Sequence, residues 1–172
     1  MMKKKLSLIF TLLGLASTVC LSSQAFAADF NGDGQTDFAV VRGVAGQLQW
    51  IVDTNHDGFA DIRVNYGALT DEPIPADFNG DGQTDFVVIR EVGQHLQWIV
   101  DTDLDGFTDI RVNYGALTDE PILADFNGDG QTDFAVIREV GQHLQWIVDT
   151  DLDGFTDIRR DYGQSTTDRP LP

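Results

Sequence analysis

The 172-residue chain has a single cysteine, Cys20, and its only lysines are Lys3, Lys4 and Lys5. Beyond residue 27 it has neither residue type and a single serine, Ser165. No disulfide can staple that part of the chain, no Cys/His pair can be assembled, and Ser165 alone is available to a serine nucleophile. Histidine is also scarce: His56, His95 and His143 are scattered, without a cysteine or a spaced glutamate to complete a transition-metal set. Positive charge is scarcer still. Beyond residue 27, 8 arginines face 28 acids, a formal charge of −20, which disfavours nucleic acid and anionic membrane as partners. These absences leave little material for catalysis, and a non-enzymatic role is expected. A secreted hydrolase is the weaker alternative, and it would need a carboxylate pair in a cleft that holds no metal.

The long apolar run, Leu6 to Leu21, follows Lys3 to Lys5 and leads to Ala25-Phe26-Ala27, a small-x-small cleavage pattern. Residues 1–27 are therefore expected to be a secretory signal of bacterial type, with cleavage before Ala28, export to the extracellular space or periplasm, and no membrane insertion afterwards. A retained membrane anchor and lipidation at Cys20 are the alternatives. Export without disulfides raises the question of what replaces them.

The remaining chain answers with repetition. Asp29-Phe30-Asn31-Gly32-Asp33-Gly34-Gln35-Thr36-Asp37 places oxygen side chains at loop positions 1, 3, 5 and 9, with glycine at 6, and the pattern restarts every 24 residues at Asp53, Asp77, Asp101, Asp125 and Asp149. Alternate residues of a tight loop can point at a common centre, and a hard cation such as Ca2+ takes six to eight oxygens. Candidate ligands in the odd loops are Asp29, Asn31, Asp33, Gln35 and Asp37; Asp77, Asn79, Asp81, Gln83 and Asp85; and Asp125, Asn127, Asp129, Gln131 and Asp133. In the even loops they are Asp53, Asn55, Asp57, Phe59 and Asp61; Asp101, Asp103, Asp105, Phe107 and Asp109; and Asp149, Asp151, Asp153, Phe155 and Asp157. An acidic, glycine-rich surface turn is the plainer reading of any one loop; six in register favour cations. The six loops hold 20 of the 28 acids, and outside them 8 acids face 8 arginines, so the excess charge is local to the loops. Six divalent ions would take −20 to −8.

Two kinds of 24-residue half alternate, giving 48-residue repeats at 29–76, 77–124 and 125–172. Between loops, apolar residues alternate with period two: Phe38, Val40 and Arg42 on one face, Leu48, Trp50 and Val52 on one face, Ile62, Val64 and Tyr66 on one face. This predicts three good strands and a short proline-limited edge segment per repeat, Glu72-Pro73-Ile74-Pro75 in the first. An EF-hand is disfavoured, since loop position 12 is Val40, Val64, Val88, Val112, Val136 or Arg160 rather than glutamate. A dockerin-like helix is disfavoured by the β-branched alternation after each loop.

Ile74-Pro75-Ala76 followed by Asp77-Phe78-Asn79-Gly80-Asp81-Gly82-Gln83-Thr84-Asp85, a strand ending at Arg90 and a tryptophan strand, Leu96 to Val100, resembles the bacterial FG-GAP/VCBS-type repeat. The resemblance covers all three repeats; the even loops depart from the family pattern and rest on spacing alone. It implies an all-β protein of propeller-blade repeats, each with 3–4 antiparallel strands, with up to six structural Ca2+ ions in inter-strand loops and a role in extracellular or cell-surface binding and adhesion. The partner it implies is an unidentified extracellular protein or glycan. Propellers usually close with four or more blades, so three repeats leave three readings: head-to-tail closure as a homo-oligomer, a threefold β-trefoil-like barrel, or a fragment of a longer array. Trp50, Trp98 and Trp146 recur once per repeat. They are expected in the blade core; exposed between repeats, they would instead make the protein a lectin. Tyr66, Tyr114 and Tyr162 share those two readings.

Overall fold

A computed structural model describes residues 28–171. The expected signal segment, with Cys20, lies outside the described residues. Among those described there are eleven strands and no helix. The first repeat supplies β1 (Phe38–Val44), β2 (Gln47–Asp53), β3 (Ile62–Ala68) and β4 (Glu72–Pro73). The second supplies β5 (Phe86–Val92), β6 (His95–Asp101), β7 (Ile110–Ala116) and β8 (Glu120–Ala124). The third supplies β9 (Asp133–Val140), β10 (His143–Asp149) and β11 (Ile158–Gln164). The strands form three antiparallel, blade-like sheets in the orders β1-β2-β3, β4-β5-β6-β7 and β8-β9-β10-β11. The threefold closed barrel is not formed.

Sheet and sequence repeat are out of phase. The proline-limited segment of each repeat pairs with the next repeat: Glu72 and Pro73 lie opposite Ile89 and Val88 of β5, and Glu120 to Ala124 run along β9 from Ile137 to Asp133. Proline has no N–H to donate, which confines such a strand to an edge. Pro75 of the first repeat is Leu123 in the second, and with that N–H restored the edge strand lengthens from 2 residues to 5. Among the described residues the first sheet has no such fourth strand, so β1 is its edge.

Within each sheet the turns follow their residues. Ala45 and Gly46 both have positive φ, 51° and 89°, as a two-residue type I′ hairpin between β1 and β2 requires. Gly67, at φ 90°, lies beside the register shift between β2 and β3, and a Cβ there would stand 2.9 Å from Val88 Cγ1 of the neighbouring sheet. Glycine is needed there both for backbone conformation and for close approach.

The core lies between sheets. Leu48, Trp50, Val52 and Tyr66 of the first repeat meet Phe86 and Val88 of the second, and Leu96, Trp98, Val100 and Tyr114 meet Phe134 and Val136 of the third. Trp50 and Trp98 each pack on the phenylalanine at the start of the next repeat's first long strand, with ring centroids 4.8 Å apart for Trp50–Phe86 and 5.0 Å for Trp98–Phe134. An ion pair crosses each junction. Asp71, its side chain buried, receives Arg90 in a two-pronged contact at 2.8 and 2.7 Å, and Asp119 receives Arg138 in the same way.

Strand direction settles where the loops fall. In the four-stranded sheets one loop joins the first two strands and another the last two, and antiparallel alternation puts both on one rim. Hydrogen bonds tie them there: Asn79 Nδ2 donates to Thr102 O, and Asn127 Nδ2 to Thr150 O. First loops also join across repeats, Thr84 N donating to Asp29 O at 2.6 Å and Thr132 N to Asp77 O at 2.7 Å.

Phe86→Ala is expected to cost about 3–5 kcal/mol, the range for truncating a buried phenylalanine, whereas Phe59→Ala, whose ring is exposed, should stay within about 0.5 kcal/mol. Denaturant midpoints of the two variants check this.

Candidate metal centres

All six loops share one backbone. Position 6 has positive φ throughout, from 83° at Gly34 to 91° at Gly106 and Gly154, and so does position 4. Position 4 is Gly32, Gly80 and Gly128 in the first loops but His56, Leu104 and Leu152, at φ 61°, 60° and 59°, in the second. A left-handed leucine is disfavoured, so the two loop types reach one geometry from different residues. The strain at position 4 is the feature the sequence reading missed; glycine there in alternate loops was its signal.

Side-chain oxygens organise each loop around its own amides. The position-1 carboxylate accepts from the N–H groups ahead of it: Gly80 N and Gly82 N reach Asp77 at 2.6 and 2.9 Å, while Asp105 N and Gly106 N reach Asp101 at 3.2 and 2.8 Å. Position 3 accepts from position 5, as Asp81 N does to Asn79 Oδ1, and position 5 from position 7, as Gln83 N does to Asp81 Oδ1. The position-9 carboxylate closes the loop back on position 2, through Phe78 N to Asp85 Oδ2 at 2.7 Å and Thr102 N to Asp109 Oδ2 at 2.8 Å.

Positions 1 and 9, alike in sequence, part company in burial. The first loops bury position 9 (Asp37, Asp85 and Asp133), and the second bury position 1 (Asp53, Asp101 and Asp149). In each first loop the buried carboxylate has one oxygen, Oδ1 of Asp37, Asp85 or Asp133, with no hydrogen-bond partner. In two second loops carboxylates converge: oxygens of Asp101, Asp103 and Asp109 lie within 4.8 Å of one another, as do those of Asp149, Asp151 and Asp153.

The electrostatics follow from this crowding. Burial, with help from Asp77, Asp81 and Asp101, pushes the Asp85 carboxyl up to about 7 against the Phe78 N–H that lowers it. Burial and the neighbouring loop acids push Asp101 and Asp149 up to about 6. Asp37 and Asp133 are raised for the same cause. Exposed Asp125, held by Gly130 N and Gly128 N, is lowered. The buried members are short of positive charge. A divalent cation would supply it, and orphaned carboxylate oxygens among further oxygen donors are the hard ligand set such an ion takes. The residues fit the group.

At position 7 the expected donor is the carbonyl. The side chains there are engaged elsewhere: Gln35 Nε2 and Gln83 Nε2 donate to the position-5 carboxylates Asp33 and Asp81 at 3.3 Å. Gln83 and Gln131 also pack over Gly32 and Gly80 of the preceding repeat. Phe59, Phe107 and Phe155 expose their rings. The backbone carbonyl is what the two residue types share there.

The tryptophans are also placed. Trp50 and Trp98 are buried, with Nε1 donating to Tyr66 O and Tyr114 O at 3.0 and 2.9 Å, and cannot stack on a sugar; Trp146 is half-buried. Tyr66 and Tyr114 are buried with them. His95 and His143 are exposed and away from the loops, while His56 caps Thr36 O at 2.9 Å. A cavity of about 290 Å3 is lined by Asp29, Asp77 and Gln83, and its two carboxylates already accept loop N–H groups. No family model, curated protein or solved structure matches the chain, so the resemblance to FG-GAP/VCBS-type repeats rests on its own residues.

A carboxyl whose folded-state pKa is raised contributes stability that is complete below its unfolded value, near 3.8, and lost as pH rises through the folded value. For the ion-free protein the window runs from about 4 to about 6 for Asp101 and Asp149 and to about 7 for Asp85. Calorimetry of chelator-treated protein should therefore show the melting temperature falling across that window; a flat or rising profile contradicts the assignment.

Proposed function

We propose that the chain is a calcium-stabilised β-repeat module of the FG-GAP/VCBS kind, exported by residues 1–27, that serves in extracellular or cell-surface binding and adhesion. The observation that carries the calcium reading is the unpartnered buried oxygen at one loop position in three successive repeats, Asp37, Asp85 and Asp133. Leaving a buried acceptor unsatisfied costs about 1–3 kcal/mol and more when charged, and a repeated cost at an otherwise hydrogen-bonded site points to a missing positive partner. Calcium in this reading is structural: it neutralises the rim and fixes the hairpin connections. The ligands are the side chains at positions 1, 3, 5 and 9 with the position-7 backbone carbonyl.

Adhesion is supported by the resemblance and by the form of the molecule, a rigid stack of sheets with its loops on one rim. No catalytic set is part of the reading. The partner's chemical class is an extracellular protein or glycan. Burial of Trp50 and Trp98 weighs against a tryptophan-lined lectin, to which half-buried Trp146 alone would be open.

Calcium at 100 times its dissociation constant should add about 2.7 kcal/mol for each filled site. Calorimetric melting in calcium chloride should thus lie well above melting in chelator, and the pH profile should reverse, because ligand carboxylates must be ionised to hold the ion. Identical melting temperatures in the two conditions would sink the calcium reading. Asp85→Asn gives a signed check: near pH 7.5 the ion-free variant should melt at or above the parent, since a buried charge is gone, yet in calcium it should melt below it and bind one ion fewer by mass spectrometry of the native protein.

A further inference from the structure

The repeats are near-copies, yet equivalent residues are buried in two and exposed in one. Phe86 and Phe134 are 0% exposed and Phe38 64%; Val88 and Val136 are 0% and Val40 59%. At the other end of the stack Tyr66 and Tyr114 are 4% and 5% exposed and Tyr162 is 77%, while Trp146 is half-buried where Trp50 and Trp98 are fully so. These surfaces are the two halves of the internal junction. Within the chain, the Leu/Trp/Tyr face of one repeat receives the Phe/Val face of the next.

The polar features of the junction are divided the same way. Asp71 pairs with Arg90 and Asp119 with Arg138; Arg42 is the matching arginine of the first repeat and, among the described residues, has no carboxylate within ion-pair distance. Its matching acid is Asp168. Asp71 and Asp119 follow Gly67 and Gly115 by 4 residues, and Asp168 follows Gly163 by 5, so the correspondence is hidden in the sequence. The structure reveals it: Asp168 Oδ2 accepts Gln164 N at 2.8 Å, as Asp71 and Asp119 accept Ala68 N and Ala116 N at 2.7 and 2.8 Å. It also lies 3.5 Å from a Cβ placed on Gly163, against 3.4 and 3.5 Å for the other two. Finally, among the described residues β1 is the edge that lacks a fourth strand, while Arg169-Pro170-Leu171, the counterpart of Glu72-Pro73-Ile74, belongs to no sheet.

We propose that these two faces dock on each other between two copies of this chain. Phe38 and Val40 enter the Leu144, Trp146 and Tyr162 face, Arg42 pairs with Asp168, and residues 169–171 extend the open edge of β1. The occupant is a second copy because apolar face, ion pair and edge strand are all those the chain already uses between its own repeats. The contact is head to tail, and two chains joined at both ends form a closed ring of six sheets, inside the range in which such sheets close. Two positions differ from the internal junctions. Arg160 replaces Val64 and Val112, which pack on Gly106 and Gly154 of the following loop, so a cation meets the acidic loop 53–61. Ala60 replaces Thr108 and Thr156, which contact the tyrosine hydroxyls, so Tyr162 docks without that hydrogen bond.

Light scattering on the chain from Ala28 onward, at roughly physiological ionic strength where screening falls to about 8 Å and with calcium chloride present, tests this. The expected mass is that of two chains, falling toward one on dilution. Phe38→Asp and Tyr162→Asp change residues exposed in a lone chain, so each should keep the melting curve of the separated chain and the one-chain mass at concentrations where the parent is paired. A one-chain mass for the parent at every concentration overturns the proposal. So does a pair that survives either substitution, because a contact between like faces would depend on only one of the two.

Discussion

A buried carboxylate is stable only where something positive or hydrogen-bonding reaches both of its oxygens, and the rest of this molecule is arranged around that constraint. Loop after loop, an aspartate is drawn into the rim by the backbone N–H it caps, and in three of them one oxygen is left over. Aspartates elsewhere show the alternative solution. Asp71 and Asp119 are as deeply placed, yet each is saturated by an arginine fork and a backbone N–H. The chain has 8 arginines, and the two at its internal junctions are spent there, not on the rim. In the calcium reading proposed above, what the loops lack in side-chain cations comes from solution.

The second constraint is geometric. A single sheet of three or four strands here cannot bury both of its faces, and tryptophan, tyrosine and phenylalanine on one sheet are covered only by the next. Stability is therefore a property of junctions more than of repeats, as in other nearest-neighbour arrays. The edge strand makes each junction covalent as well as apolar: the chain leaves one sheet at β3 or β7, lays the following segment on the next, and only then turns through an aspartate loop. Near-identical repeats consequently differ in burial according to their place in the stack, which is why Phe38 and Phe86 have such different surroundings.

Rim and junction are coupled. Thr84 and Thr132 tie each first loop to the loop before it, and Gln83 and Gln131 pack over the position-4 glycines of the preceding repeat. An ion that ordered one loop would thereby steady a junction, and a junction that forms presents the next loop in its closed geometry. On the calcium proposal, metal binding and sheet stacking would reinforce one another, with no helix among the described residues.

Much of this was legible in the residues. Period-two alternation gave the strands, the spacing of aspartates and the recurrent glycine gave the loops, and the absence of cysteine beyond residue 27 gave the need for another staple. Those properties are local: a strand's faces and a loop's backbone are set by a few neighbouring residues. Sequence treated positions 1 and 9 of every loop as equal ligands, and it could not say which sheet would hold Glu72-Pro73. It also hid the equivalence of Asp168 with Asp71 behind one extra residue. Which aspartate is buried, where an edge strand pairs and which aromatic face is covered depend on the sheet that lies alongside. Only the tertiary structure decides that, because burial belongs to a pair of surfaces and not to either one.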